Sequence, residues 1–305
     1  MELLCGRSCG KDVVLTFGNF DGVHRGHRHI FSEVVRLSKE KGLASAVLTF
    51  SPHTAVFLRK RKHFLLLDFD GKAQLIEQCG VDYLFVVKFD EECAKMAPEA
   101  FIANILVNRC NAKYVVVGGD CVFGHKCKGN LDMLRSYAPH YGYDIVVVNQ
   151  LLASNGDVCS SSCVRTYIEQ GDVKSANQML GRNHSVSGLV VKGLARGRSI
   201  GFPTINLTLE DLVLPRMGVY SARVSVDKDQ HCWLAGIVNI GIRPTFSPEE
   251  RAVLEMHIFD FDEDLYGKWV TVELLDFIRD EKKFQNVEQL IVQIKRDIKT
   301  VKGLF

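Results

Sequence analysis

Val13-Val14-Leu15-Thr16-Phe17 runs directly into Gly18-Asn19-Phe20-Asp21-Gly22-Val23-His24-Arg25-Gly26-His27, and residues 27–41 then place Ile30, Phe31, Val34, Val35 and Leu37 along one stripe. A strand-length apolar run, a glycine-rich turn and an amphipathic helical pattern in succession open a β–α unit. Working outward, the same alternation recurs. Apolar runs stand at 44–50, 83–89, 114–118 and 143–148, nearly continuous in Val, Ile, Leu and Phe, as strands covered on both faces require. Helical patterns fill the gaps at 74–78, 98–109 and 131–137, and Pro98 suits a first helical turn. Strands alternating with helices predict a doubly wound parallel sheet, whose ligands bind beyond the carboxyl ends of the strands.

After about Gly181 the pattern changes to short β-rich runs at 187–191, 220–226, 232–240, 252–259 and 270–278. Pro215, Gly218, residues 227–229 and Pro248 are turn signals between them. This spacing predicts a C-terminal antiparallel β-barrel. A terminal helix over 287–299, capped by Asn286, closes it with Leu290, Ile291, Ile294 and Ile298 inward. The expected architecture is α/β, with an N-terminal domain over 1–181 and a barrel domain over 182–305.

The length of 305 residues suits two domains. With 38 Lys+Arg against 36 Asp+Glu the net charge is +2, which argues against nucleic acid as a partner. No apolar run is long enough to cross a bilayer, so no membrane partner is expected, and the first seventeen residues lack a signal-peptide pattern. Both points predict a cytoplasmic protein. Ten cysteines contain no C-x-x-C, so we expect reduced thiols and no cysteine metal site.

Chemistry concentrates in two stretches. In the first, glycines let backbone approach a ligand, the helix start offers N–H groups to a phosphate, and His24 and His27 are three residues apart on one side. One histidine capping a helix and another packed in the core is the bland reading; two among three glycines at a strand-to-helix turn favour phosphate. Ser160-Ser161-Ser162, with Arg165 a turn later, adds hydroxyls and a guanidinium suited to phosphate oxygens. Gly124 to Gly129 has Walker A spacing, but Asn130 stands where lysine is required, which excludes that motif. In the second stretch, Gly193 to Asn206 contains glycines, Arg196 and Arg198, and the uncharged oxygens of Thr204 and Asn206, which suit Mg²⁺. Glu255 sits among apolar neighbours in a β pattern, where partial burial favours a proton acceptor. His257 faces the same side without an assigned role.

The first stretch resembles the H-x-G-H signature of nucleotidyltransferases, and in its longer form the G-N-F-D-G-V-H-R-G-H of bacterial FAD synthetases. Thr49-Phe-Ser-Pro-His53 resembles a T-F-x-P-H segment beside the flavin, with Thr54 where proline is usual. Gly119-Asp120-Cys121-Val-Phe-Gly124 resembles G-x-D-F-x-F-G, with Cys121 replacing the aromatic, and Ser160 to Arg165 resembles S-S-T-x-I-R. Gly193 to Asn206 resembles the riboflavin kinase signature, with Ile205 replacing alanine, and Val238 to Thr245, Leu254 to His257 and Leu265 to Gly267 follow in family order. The whole is similar to the bifunctional bacterial riboflavin kinase/FAD synthetase family. That resemblance implies ATP-dependent phosphorylation of riboflavin to FMN in the barrel and adenylylation of FMN to FAD in the first domain, both with Mg²⁺. It implies catalytic roles for His24, His27, Arg165 and Glu255. It implies nucleotide binding by Gly18, Phe20, Gly26, Ser160, Ser161, Ser162, Gly193, Arg198 and Gly201. Flavin binding falls to Asn19, Asp21, His53 and Asp120, and metal binding to Thr204 and Asn206. Retention of only one activity, a different acceptor for the nucleotidyl group, and a flavin-binding regulator remain the alternatives.

Overall fold

The computed structural model describes residues 1–193, 196–209, 211–226, 232–243 and 251–305, with Arg196, Arg243 and Arg251 described by backbone only. The expected turns at 227–229 and Pro248, and parts of the quoted motifs at 194–195 and 244–245, lie outside the described residues. By packing, the chain forms two compact units, Met1–Ser161 and Ser162–Phe305. The expected junction at 181/182 falls just ahead of the first barrel strand, His184–Leu189.

The first unit is a six-stranded sheet with every neighbouring pair parallel. Its order is Glu2–Cys5, Tyr83–Lys88, Ala44–Ser51, Val13–Phe17, Ala112–Gly118, Asp144–Val148. Residues of Val13–Phe17 alternate between faces. Val13, Leu15 and Phe17 join one core with Phe101, Ile102 and Leu134, whereas Val14 packs under Val34 and Leu37 of the helix Arg25–Lys41. From Val13–Phe17 the chain winds first toward Ala44–Ser51 and later returns to lay Ala112–Gly118 on the other side. The direction of winding therefore reverses at the carboxyl end of Val13–Phe17, where the glycine-histidine stretch begins. Such a reversal opens the crevice used for ligands in sheets of this kind. The expected strands all form. Glu2–Cys5 is an additional edge strand, and residues 98–109 are a short α-turn, Pro98–Ala100, continuing as a π-helix, Phe101–Arg109.

The second unit holds an antiparallel sheet in the order Ile205–Thr208, Arg251–Ile258, Leu234–Arg243, Gly218–Val226, Trp269–Asp280, His184–Leu189. A bridge between Val191 and Asn206, with the Val191 N–H donating to the Asn206 carbonyl at 2.9 Å, links the two ends into a barrel. Tyr220, Val238, Leu254, Met256 and Leu274 fill its interior. The terminal helix Val287–Lys302 is capped by Asn286 as expected but runs further, and Val301 is its buried anchor against Val219, Ile237 and Phe259. Asp297 on the same helix is buried and takes two hydrogen bonds from the Arg279 guanidinium, at 2.9 and 2.7 Å. That pairing lets the helix carry a carboxylate onto the barrel wall.

Candidate active sites

The loop after Val13–Phe17 is tightly built. Phe20 and Val23 adopt positive φ, at 49° and 39°, a conformation costly for residues with a Cβ. Both side chains are buried in the core, and that burial holds the strained turn in place. The turn delivers His24 to the N-cap of the helix Arg25–Lys41. His24 is buried and its Nδ1 accepts the His27 N–H at 3.3 Å, so a neutral His24 carries its proton on Nε2. His27 stacks on it with ring centroids 3.5 Å apart and 25° between planes, and the Phe20 ring meets His27 edge-on at 5.2 Å. Capping and pairing thus coexist: His24 has the capping role of the bland reading and still stands beside His27.

Gly26 is required here by space. A Cβ would lie 2.9 Å from the Cys159 carbonyl and 3.1 Å from His24 Nδ1. The Cys159–Ser161 backbone therefore runs against the histidine turn, and Ser161 Oγ donates to the Asp21 carbonyl at 2.8 Å. Ser160 stands beside it, whereas Ser162 and Arg165 belong to the second unit, on the helix Ser161–Gln170. Gly18 lies against the Phe20 ring. Asp21 is buried, and its carboxylate accepts the Leu66 N–H at 3.0 and 3.2 Å.

On the other side of this loop, the Asn19 carboxamide faces Thr54. His53 caps the helix Thr54–Arg59 by accepting the Ala55 N–H at 3.0 Å and meets the Phe64 ring at 5.2 Å. Asp120 is exposed after the strand Ala112–Gly118 and accepts Gln150 Nε2 at 3.2 Å. Cys121, in the aromatic's place, packs against the main core, and burial pushes its thiol up to about 12. It is an inert filler at neutral pH.

In the barrel, register creates the second constellation. Asn206 pairs directly with Glu255, and Glu255 with Asn239 on the next strand. Neighbouring Leu207, Leu254 and Met256 point into the core, so this polar row lies on the outer face. Asn206 is nonetheless buried, because the Gly193 backbone presses on its carboxamide; a Cβ on Gly193 would come within 2.5 Å of Asn206 Nδ2. Thr204, half-buried, precedes Asn206 by two positions. The short helix Arg196–Ser199 contains the exposed Arg198, and Gly201 follows at φ 90°. His257 Nδ1 donates to the Pro203 carbonyl at 2.8 Å, and its ring meets Phe202 at 5.7 Å, so it braces the segment that ends in Thr204.

A family model described as FAD synthetase matches residues 7–162, and one described as riboflavin kinase matches residues 180–305. Proteins named bifunctional riboflavin kinase/FMN adenylyltransferase align almost end to end. The one from Haemophilus influenzae is 36% identical over 310 residues, covering 100% of this chain and 99% of its own. The one from Listeria monocytogenes is 35% identical over 296 residues, covering 96% and 92%. The chain belongs to the bifunctional riboflavin kinase/FMN adenylyltransferase family. It is a two-activity transferase with the FAD synthetase half first and the riboflavin kinase half second. A solved structure from Streptococcus pneumoniae, described as a macrolide-efflux protein, shares the fold with a TM-score of 0.87 at 31% identity, covering 98% of each chain. No helix among the described residues is long and apolar enough to cross a membrane.

Within the FAD synthetase half, the sequence reading missed Lys72. It lies on the helix Phe69–Glu77, where a lysine ordinarily points to water, yet it is buried. Its Nζ donates to the Asn19 carbonyl at 3.2 Å and to Thr49 Oγ1 at 3.0 Å. Burial lowers its pKa to about 8, and the negative charge of Asp21 opposes that fall. In the riboflavin kinase half, the oxygen donors of Thr204, Asn206 and Glu255 fit a hard divalent cation. No group of three or more His, Cys, Asp or Glu that could hold a metal occurs among the described residues.

Proposed function

We propose that the barrel unit phosphorylates riboflavin to FMN and that the first unit joins FMN to the AMP portion of ATP, giving FAD and pyrophosphate. We assign these steps to residues 182–305 and 1–181. The observation that carries the reading is that each half of a family member contains its own constructed polar site: the stacked His24–His27 pair at the sheet's winding reversal, and the Asn206–Glu255 pair on the barrel wall.

In the first unit, a phosphate oxygen of FMN attacks the α-phosphorus of ATP in line, and the bond to pyrophosphate breaks. His24 and His27, with N–H groups of the helix start, stabilise the charge that builds on the phosphates. Gly18, Phe20, Gly26, Ser160 and Ser161 shape the ATP side. Asn19, Asp21, His53 and Asp120 shape the flavin side, Asp21 by anchoring the loop. In the barrel, Glu255 accepts the proton of the riboflavin primary alcohol as that oxygen attacks the γ-phosphorus and ADP departs. Gly193, Arg198 and Gly201 line the nucleotide. Thr204 and Asn206 would hold Mg²⁺, which neutralises charge between the phosphates when bound. Ten cysteines without a disulfide support a reducing, cytoplasmic setting.

The test is to supply the protein with Mg-ATP and either riboflavin or FMN and to follow FMN, FAD and pyrophosphate separately. Riboflavin is expected to yield FMN and then FAD, and FMN alone to yield FAD with one equivalent of pyrophosphate. Formation of FMN without FAD, or binding of flavin with no ATP turnover, would overturn the two-activity reading.

A further inference from the structure

Asn19 is held from both ends by residues that the functional reading does not use. Among the described residues its carboxamide is clamped by Thr54 alone: the Thr54 N–H donates to Asn19 Oδ1 at 3.2 Å, and Asn19 Nδ2 donates to Thr54 Oγ1 at 2.9 Å. Because one contact is a backbone donor, the amide has only one sensible orientation. Its backbone carbonyl accepts two more bonds, from Thr49 Oγ1 at 3.1 Å and from the buried Lys72 Nζ at 3.2 Å. Lys72 and Thr49 are themselves bonded, closing a triangle beneath the loop. Among the described residues Lys72 has no carboxylate within ion-pairing distance; its buried ammonium is matched by dipoles and by the more distant Asp21. A carboxamide has two donors and two acceptor lone pairs, so the Thr54 clamp leaves one of each for a ligand.

We infer that Thr54 and Lys72 are positioning residues that hold Asn19 from its two ends and thereby set how tightly the first unit takes FMN. This rests on the reading that Asn19 faces the flavin. The clamp is particular to the residue at 54. Proline, usual there in the resembled family, has neither an N–H nor a hydroxyl and cannot make it. Thr54 is also the first residue of the helix Thr54–Arg59, a position at which proline is well tolerated, so Thr54→Pro removes both bonds without breaking the helix.

The test uses the full chain and steady-state adenylyl transfer, with KM measured separately for FMN and for ATP and riboflavin kinase activity as the control for folding. Thr54→Pro is expected to raise KM for FMN about tenfold and Thr54→Val, which keeps the N–H, about threefold, with KM for ATP unchanged. Thr54→Ser keeps both groups and restores the parent value. Lys72→Met is expected to act in the same direction as Thr54→Pro. KM for FMN within twofold of the parent in Thr54→Pro and Lys72→Met, or KM for ATP rising in parallel, would overturn the inference. If Thr54→Pro loses kinase activity as well, Thr54→Val and Lys72→Met decide by the same split. A parent protein that makes no FAD from FMN would instead overturn the functional reading itself.

Discussion

The two sites are built by opposite strategies. The histidine pair comes from one continuous segment, in which a strand, a strained turn and a helix cap follow each other within twelve residues and the bond between the two histidines is local. The Asn206–Glu255 pair joins residues far apart in the chain, made neighbours by the register of two antiparallel strands. A local pair keeps its spacing whatever the strand register, although its turn is braced from outside by Leu66 and Ser161. A register site is not so protected, since a slip of one residue would turn Glu255 into the barrel core and Leu254 out to the polar row. The difference teaches where each site is vulnerable: the first at its turn and cap, the second at anything that loosens the barrel.

Separate substitutions break the comparison most sharply. Glu255→Gln keeps the shape and removes the proposed proton acceptor, so FMN formation should fall about 10²–10⁴-fold while supplied FMN still becomes FAD. A product-resolved assay reads both rates on one sample, and equal loss of both steps would mean the sites are not independent. His27→Ala should do the converse, lowering adenylyl transfer about 10²–10³-fold with kinase activity retained. The cap made by His24 survives that change because the donor to His24 Nδ1 is the backbone N–H of residue 27.

Acid sharpens the comparison from the side of stability. His184, at the start of the barrel strand His184–Leu189, is fully buried with Nε2 lacking a hydrogen-bond partner among the described residues, and burial, helped by the Arg182 charge, lowers its pKa to about 4. Between about pH 6.5 and 4 the unfolded chain therefore binds a proton that the folded barrel refuses. Stability from this group is complete above about 6.5 and is lost as pH falls toward 4, by about 3 kcal/mol. Denaturant unfolding followed through kinase activity should show that loss, and His184→Phe should flatten it; an unchanged acid limb in the variant would assign the sensitivity elsewhere.

Legibility in the sequence tracked burial. Val13–Phe17 is legible to its ends because both its faces are covered, so apolar residues are nearly unbroken. Glu2–Cys5 is not legible, because only Leu4 of this edge strand is buried and nothing in its composition marks it. Ile205–Thr208 is too short for an apolar pattern to mark it, and its strand character comes from pairing with Arg251–Ile258. Alternation alone puts His257 on the side of Glu255 but assigns it no task; its bond to the Pro203 carbonyl exists only once strand and loop meet. Lys72 carried no signal at all, since a lysine in a helical pattern looks the same whether its ammonium faces water or the Asn19 carbonyl.

From the chain alone came the two-part architecture, the strand-turn-helix with its histidines, and the residue types able to grip phosphate, because periodicity and local turn chemistry are written in neighbouring residues. Tertiary structure alone decided which distant groups meet: Asn206 beside Glu255, Ser161 against the Asp21 carbonyl, and Lys72 and Thr54 at the two ends of Asn19. Those meetings depend on register and on which polar groups the folded core must satisfy, and neither quantity is a property of any single stretch of sequence.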